Sequence, residues 1–369
     1  MTRAPRVLVS GVVLGQPMGG VRRHNAELLP RAARLLAERG GALDVLEGSR
    51  PIAFDLPPEA RRVPSAVPPG PPLPRVLREG QALRDAAAAA AAAGRAYDLV
   101  HTAHLPVPRS LPLAYTLTVH DLRALLLRGA PFARRLIAGP VLGAAVRGAA
   151  RVLTVSETVR EQLVGRFPLP TERVTVVPNG ADHFEPLPRN AGPGAPLLHV
   201  GHLEPRKNVE LLLRALAADA ELPGLVLAGA AKPGERERLE AFAKELDVHA
   251  RVRFLGAFDE ADLPRLYATA ACVVVPSHVE GFGLAVPEAQ RALCPLAIAD
   301  AGALPEVAGP DAPRFAPDDV AGCVRAVRAA LARDAAELAR EREHAQGFGW
   351  EDSAVRLVEA WTEAASPRN

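Results

Sequence analysis

Cys272-Val273-Val274-Val275-Pro276-Ser277-His278-Val279-Glu280-Gly281-Phe282-Gly283-Leu284-Ala285-Val286-Pro287-Glu288 carries the most information in this 369-residue chain. An apolar run ends at Pro276, two glycines follow, and helical spacing resumes at Leu284. This predicts a buried strand, a tight turn and a helix, with the turn at the carboxyl end of a parallel sheet, where open α/β folds bind ligands. Gly281 and Gly283 let the backbone approach a ligand closely, and amides at a helix start suit an anion. Glu280 and Glu288 can each accept hydrogen bonds from vicinal hydroxyls, one pair on a sugar and one on a ribose. The plainer reading is a junction whose glutamates cap or solvate the helix, and both stand on this stretch alone.

The same alternation runs outward in both directions. Strands are predicted at Arg6–Leu14, Ala42–Leu46, Asp98–His101, Tyr115–His120, Val152–Ser156 and Val174–Pro178. Beyond a Pro- and Gly-rich break at Pro186–Pro196, read as an interdomain linker, strands recur at Leu197–Gly201, Leu225–Gly229, Val252–Gly256, Cys272–Pro276 and Leu296–Ala299. Helical spacing fills the gaps at Val209–Ala218, Glu235–Leu246, Asp259–Ala268 and Leu284–Leu293. Short apolar strands joined by helices indicate parallel α/β sheets, here in two Rossmann-like halves. The expected domains are 1–187 and 188–348, with 349–369 a C-terminal helix. Pro57–Pro74 reads as an extended surface loop and Ala86–Ala93 as a strong helix former.

Composition removes several classes. Hydrophobic residues are 49% and charged residues 23%, the balance of an ordered globular chain. A formal charge of +2 and only 4% aromatics lack the footprint of a nucleic-acid binder. Cys272, Cys294 and Cys323 form no C-x-x-C pair, which argues against a disulfide framework or zinc site and fits a reducing cytoplasm. The apolar run at Arg3–Leu14 breaks without a small-x-small cleavage pattern and is read as a strand, not a signal peptide. No uncharged apolar stretch reaches the length of a bilayer span. Phe132–Arg151, with Arg134, Arg135, Arg147 and Arg151, is either an ordinary helix pair on the sheet or a basic surface resting on anionic lipid.

Only three of the 44 basic residues are lysine, Lys207, Lys232 and Lys244, and the first lies in Gly201-His202-Leu203-Glu204-Pro205-Arg206-Lys207-Asn208. That turn follows the first strand of its half, so Arg206 and Lys207 would neutralise a pyrophosphate leaving group there; a solvated surface pair is the alternative. Gly15-Gln16-Pro17-Met18-Gly19-Gly20 ends the first strand of the chain, but it is not G-x-G-x-x-G, so dinucleotide oxidoreduction has no direct support. No aspartates are spaced D-x-D, so a metal-clamped diphosphate is not indicated and no metal ligand is assigned.

In order and spacing these stretches resemble the retaining glycosyltransferases of family 4, which have the two-domain GT-B fold with parallel sheets facing a central cleft. Thr118-Val119-His120-Asp121, Val155-Ser156-Glu157, Val177-Pro178-Asn179-Gly180, Phe254-Leu255-Gly256 and Ala303-Leu304-Pro305-Glu306-Val307 extend the resemblance over nearly the whole chain. It implies that Glu280 contacts donor-sugar hydroxyls and that amides of Phe282, Gly283 and Leu284 face the sugar and phosphates. Glu288 would hold the ribose, and Arg206 and Lys207 the diphosphate, with Gly201 beside them. Gly20 would approach from the other domain, and the nucleobase would lie near Phe254, Leu255 and Gly256. His120 and Asp121 would project from the N-terminal domain toward the transferred sugar. Family members often carry arginine where this chain has His202, so the second diphosphate contact is Arg206 or a protonated His202.

The implied activity is retaining transfer of a hexose from a nucleotide-diphosphate sugar to a saccharide or lipid-linked acceptor, with no cofactor. The G-x-L-E-P-R-K-N turn with T-x-H-D looks most like mannosyltransferases of polysaccharide assembly, so GDP-mannose is the first donor suggested. A cytoplasmic enzyme is expected, with peripheral membrane contact through Phe132–Arg151 as one option and the C-terminal helix crossing back to the first domain. The alternative is a non-catalytic nucleotide-sugar-binding protein of the same fold. Base, sugar, acceptor and oligomeric state are left open by these residues.

Overall fold

The computed structural model describes residues 3–16, 19–108, 110–126 and 132–366, and at 132–137 the helical backbone alone. Its contacts divide into two compact units, Met1–Asn179 with Trp350–Asn369, and Gly180–Gly349.

In the first unit β1 (Arg6–Ser10), α1 (Gly20–Glu38), β2 (Ala42–Leu46), β3 (Ala60–Val63), α2 (Pro72–Ala92), β4 (Leu99–Thr102) and β5 (Tyr115–Val119) come first. After them come α3 (Arg123–Leu126), α4 (Phe132–Gly148), β6 (Arg151–Thr154), α5 (Glu157–Arg166) and β7 (Val174–Val176). The strands form one parallel sheet in the order β3-β2-β1-β4-β5-β6-β7. The order reverses beside β1, which leaves a crevice at the carboxyl ends of β1 and β4.

Apolar strand residues such as Val7, Leu8, Leu99, Val100, Leu117 and Val152 are fully buried between helical layers, as expected where crossovers cover both faces. Local chemistry sets the boundaries. Ser156 caps α5 by accepting from the Val159 amide at 3.1 Å. β1 stops at Ser10 rather than Leu14, because Gly11 N donates to Leu46 O and Leu14 N turns back to Gly11 O. β3 forms inside Pro57–Pro74, the stretch read as a loop. It is an edge strand without an apolar run, pinned by ion pairs of Arg61 with Asp44 and Arg62 with Glu47.

The second unit holds β8 (Leu197–Val200), α6 (Val209–Ala218), β9 (Leu225–Ala228), α7 (Glu235–Glu245), β10 (Val252–Gly256), α8 (Leu263–Thr269) and β11 (Cys272–Val275). It continues with α9 (Ala285–Arg291), β12 (Leu296–Ala299), α10 (Leu304–Ala308), β13 (Arg314–Phe315), α11 (Val320–Leu331) and α12 (Ala335–Gln346). Its parallel sheet runs β10-β9-β8-β11-β12-β13, with the order reversing beside β8. Helix α13 (Trp350–Ala365) returns to the first unit. It packs on α1 and on β4, β5 and β6, burying Trp350, Leu357, Val358 and Trp361.

Two sequence expectations need correction. The boundary between the units falls after Asn179, not after Leu187, and Pro186–Pro196 is not a linker between them. Ala181 N donates to Phe348 O, and Asn190 N donates to Ala268 O. The Arg189 guanidinium donates to the Tyr267 and Ala270 carbonyls. These bonds fix 180–196 to the second unit. Within Phe132–Arg151, Arg134 and Arg135 lie outside the described side chains. Arg151 is not helical at all: it opens β6 and pairs with Glu363. The carboxyl half of α4 buries Leu142, Ala145 and Val146 in a cluster with Leu117 and Val152, the ordinary packing of a crossover helix. Among the described residues no helix is long and apolar enough to cross a membrane.

Candidate active site

The reversal beside β8 places two loops next to each other in the second unit, 201–208 after β8 and 276–284 after β11. Glu280, eight per cent exposed, is where they meet. Lys207 Nζ donates to its Oε1 at 2.5 Å, Arg206 Nη1 to its Oε2 at 3.1 Å, and Ser277 Oγ to Oε1 at 2.9 Å. Burial pushes the carboxyl up, but the Lys207 and Arg206 cations and the bonds from Lys207 and Ser277 outweigh it and bring it down to about 2. Glu280 is therefore a carboxylate at every physiological pH.

The backbone at 280 is clamped. Ala303 N donates to Glu280 O at 3.0 Å. At Gly302, with φ +55°, a Cβ would lie 2.4 Å from that carbonyl oxygen, which explains the glycine before Ala303-Leu304-Pro305. Gly283, with φ +86°, turns the chain into α9, and a Cβ there would meet Leu304 at 2.6 Å.

Arg206 is held from its other side as well. Its Nε lies 2.6 Å from Glu204 Oε1, and Glu204 also pairs with Lys232. Both cations of the 201–208 loop thus converge on the Glu280 loop, and Arg206 Nη1 also donates to Val279 O at 3.1 Å. His202 is half-buried, and burial first, then nearby cations, lower its pKa against the pull of Glu204. The second cation at Glu280 is accordingly Arg206, not a protonated His202.

Glu288 sits on α9, five per cent exposed, with a different set of partners. Tyr267 OH donates to its Oε2 at 2.5 Å, and His183 Nε2 lies 3.1 Å from its Oε1. Phe184 stacks on Tyr267, ring centroids 5.9 Å apart. Phe282 is buried edge-on against Phe348 at 5.4 Å. Near the expected nucleobase region, a cavity of about 500 Å³ is lined by Arg253, Leu255, Phe258, Asp262 and Arg265. Arg236 lies over the Phe254 ring at 5.6 Å, and Gly256 O accepts from Gly229 N at 2.8 Å.

In the first unit His120 follows β5. Its ring meets His24 edge-on at 4.7 Å, and His24 in turn bonds Asn179 Oδ1 at 2.7 Å and faces Trp350 at 6.4 Å. Burial, then His24, lowers the His120 pKa well below the ordinary value, and the Ala103 backbone pulls the other way. Nε2 is buried without a hydrogen-bond partner among the described residues. Burial likewise takes His24 down to about 4, so both rings are neutral at pH 7. Asp121 accepts from the Arg123 amide at 3.1 Å and so starts α3. Gly20, exposed, opens α1 after Gly19 at φ +54°; Pro17 and Met18 of that motif lie outside the described residues.

His24, Tyr267 and His183 went unread in the sequence. Each meets its partner across 21 to 155 positions, and none stands in a motif. Only Asn179, in Val177-Pro178-Asn179-Gly180, carried a signal.

Residues 189–346 match the family described as Glycosyl transferases group 1, and residues 18–184 match Glycosyltransferase Family 4. D-inositol 3-phosphate glycosyltransferase of Geodermatophilus obscurus is 32% identical over 396 residues, covering 95% of this chain and 87% of that protein. O-antigen chain mannosyltransferase B of Escherichia coli is 29% identical over 228 residues, which are 57% of this chain and 60% of that protein's own length. Sucrose-phosphate synthase of Thermosynechococcus elongatus shares the fold, with a TM-score of 0.79, 23% identity, and 96% and 98% of the two chains covered. With both units matched in sequence and in topology, the chain belongs to the family 4, group 1 glycosyltransferases of GT-B fold.

Proposed function

We propose that this glycosyltransferase moves a hexose, mannose first among candidates, from a nucleotide-diphosphate sugar to a saccharide or lipid-linked acceptor with retention of configuration. The observation that carries the donor side is the convergence of Lys207 and Arg206 on one buried carboxylate at the crevice of the second unit's sheet. Departure of a nucleoside diphosphate builds negative charge, and preorganised cations stabilise that charge without reorganising during the reaction. Side-chain cations and backbone amides at 282–284 would meet the diphosphate instead of a divalent ion. Glu280, held ionised and fixed by Ser277 and the Gly302 turn, would accept hydroxyls of the sugar. Glu288, anchored by Tyr267, would accept the ribose hydroxyls.

The first unit would take the acceptor and supply His120. A neutral imidazole would accept a hydrogen bond from a sugar hydroxyl through its unprotonated nitrogen and offer the acceptor hydroxyl no competing positive charge. Likeness to a mannosyltransferase and to inositol-phosphate glycosyltransferases supports a hexosyl donor and a polyhydroxylated acceptor.

The test is a panel of nucleotide-diphosphate sugars scored for hydrolysis and transfer, with the anomeric configuration of the product read by proton NMR. GDP-mannose turnover giving an α-linked product is expected. Turnover of none of the panel, or an inverted product, overturns the reading.

A further inference from the structure

A buried histidine that the proposed reaction does not use stands beside the cations of the second unit. His199 lies in β8 among Leu197, Leu198 and Val200 and is one per cent exposed. Its Nδ1 is 3.2 Å from the Val274 carbonyl of β11. A carbonyl only accepts, so this nitrogen carries the ring proton. Nε2 then offers a lone pair, and among the described residues nothing donates to it. Burial first, then Lys207, takes the His199 pKa down to about 4 against the pull of Val274 and Glu280, so the ring is neutral at pH 7.

A buried acceptor without a donor costs stability, and an apolar side chain would fill this strand position without that cost. The place of Nε2 points to a use. A Cβ built on Gly201 would touch Lys207 Nζ at 3.6 Å and His199 Nε2 at 3.9 Å. The ammonium and the bare nitrogen therefore border one small space, over a residue that has no side chain to fill it. An ammonium has three donors on a flexible stem, and Lys207 gives one of them to Glu280 Oε1 at 2.5 Å. Sugar hydroxyls arriving at Glu280 would compete with that bond, and a second acceptor would then keep the ammonium in place. We propose that His199 is a positioning residue for Lys207: when a nucleoside diphosphate binds, Nε2 accepts one ammonium N–H and holds Nζ over Gly201, leaving another N–H for the diphosphate. This deepens the function proposed above and rests on the role given there to Lys207. Such bonds often tighten only in the complex.

The test is a double-mutant cycle on GDP binding to the full chain, read by calorimetry. His199→Leu should raise the GDP Kd about 10-fold in the wild-type background, and less than about twofold in Lys207→Ala. His199→Gln, whose amide can donate to Val274 and accept from Lys207, should stay within about threefold of wild type. Equal losses in both backgrounds would show a structural role alone and overturn the proposal, as would wild-type affinity in a folded His199→Leu protein. Wild-type affinity in Lys207→Ala is a different failure: it removes the diphosphate role of Lys207 and the proposal with it. Where His199→Leu fails to fold, ¹⁵N-histidine spectra decide. The Nε2 signal of His199, identified by its loss in His199→Gln, should move when GDP is added to the wild type and stay in place in GDP-saturated Lys207→Ala. A wild-type signal that GDP leaves unmoved, or one that moves as far without Lys207, overturns the proposal.

Discussion

At Glu280 a single carboxylate takes bonds from Lys207, Arg206 and Ser277, so each of these residues can be removed without leaving the others unpaired. Lys207→Ala should therefore fold normally, since Arg206 and Ser277 still compensate the buried charge. Its loss falls on the charge that develops in the transition state, and turnover should drop about 10²- to 10³-fold. Steady-state kinetics beside a circular dichroism spectrum checks this; wild-type turnover removes Lys207 from the diphosphate. Glu341 on α12 is the reverse case. Burial pushes its carboxyl up to about 7, and Arg333, 3.5 Å away, only partly opposes this. The folded chain then binds more protons than the unfolded one from about pH 4.5 to 7. Stability should fall as pH rises through that window and level off above it. Glu341→Gln should remove this slope and gain on the order of 1–2 kcal/mol at pH 8, with solvent screening part of the shift. Denaturant titrations at pH 5 and pH 8 read the difference, and a slope that persists in the variant refutes the assignment.

Among the elements, α13 bears the largest buried side chains, Trp350 and Trp361, both fully buried on the first unit. Trp361 packs edge-on against His101 at 5.2 Å, and His101 holds the Thr116 hydroxyl of β5 at 2.8 Å. Trp361→Ala should cost about 3–5 kcal/mol through the cavity it leaves, measured by urea denaturation; a loss under about 1 kcal/mol would mean that the helix does not pack there. This helix and α6 were legible because their apolar residues recur at helical spacing, and Val209–Ala218 has the bounds read from sequence. β3 was not, because Ala60-Arg61-Arg62-Val63 has no strand pattern of its own; its pairing depends on Asp44 and Glu47, up to 17 residues away. The site divided in the same way. Glu280, Arg206 and Lys207 were legible because each stands in a turn that follows a strand. Tyr267 and His183 were not, because burial and long-range contact alone give them their partners. The linker reading of Pro186–Pro196 failed for a related reason: Pro and Gly content shows where regular structure stops, not which unit the chain packs against.

For the whole molecule, the two sheets share one topology and reverse beside their first strands, yet the two crevices carry different chemistry. In the second unit the crevice holds cations beside Glu280, whereas in the first it holds the buried Ser10–Glu79–His104 cluster. A diphosphate should therefore select the second unit. Hydrogen exchange with and without GDP tests this across the entire chain. Slower exchange is expected over 201–208 and 280–288, because a bound diphosphate opposes the local opening of the segments that hold it. The strand amides of β8 and β11 are already bonded within the sheet, so they should change little by comparison. Lys207→Ala should abolish the protection at GDP concentrations that saturate the wild type, since the charge that draws the diphosphate there is halved. Protection confined to the first unit, or unchanged by Lys207→Ala, would move the nucleotide away from this crevice and with it the roles assigned to Glu280 and Glu288.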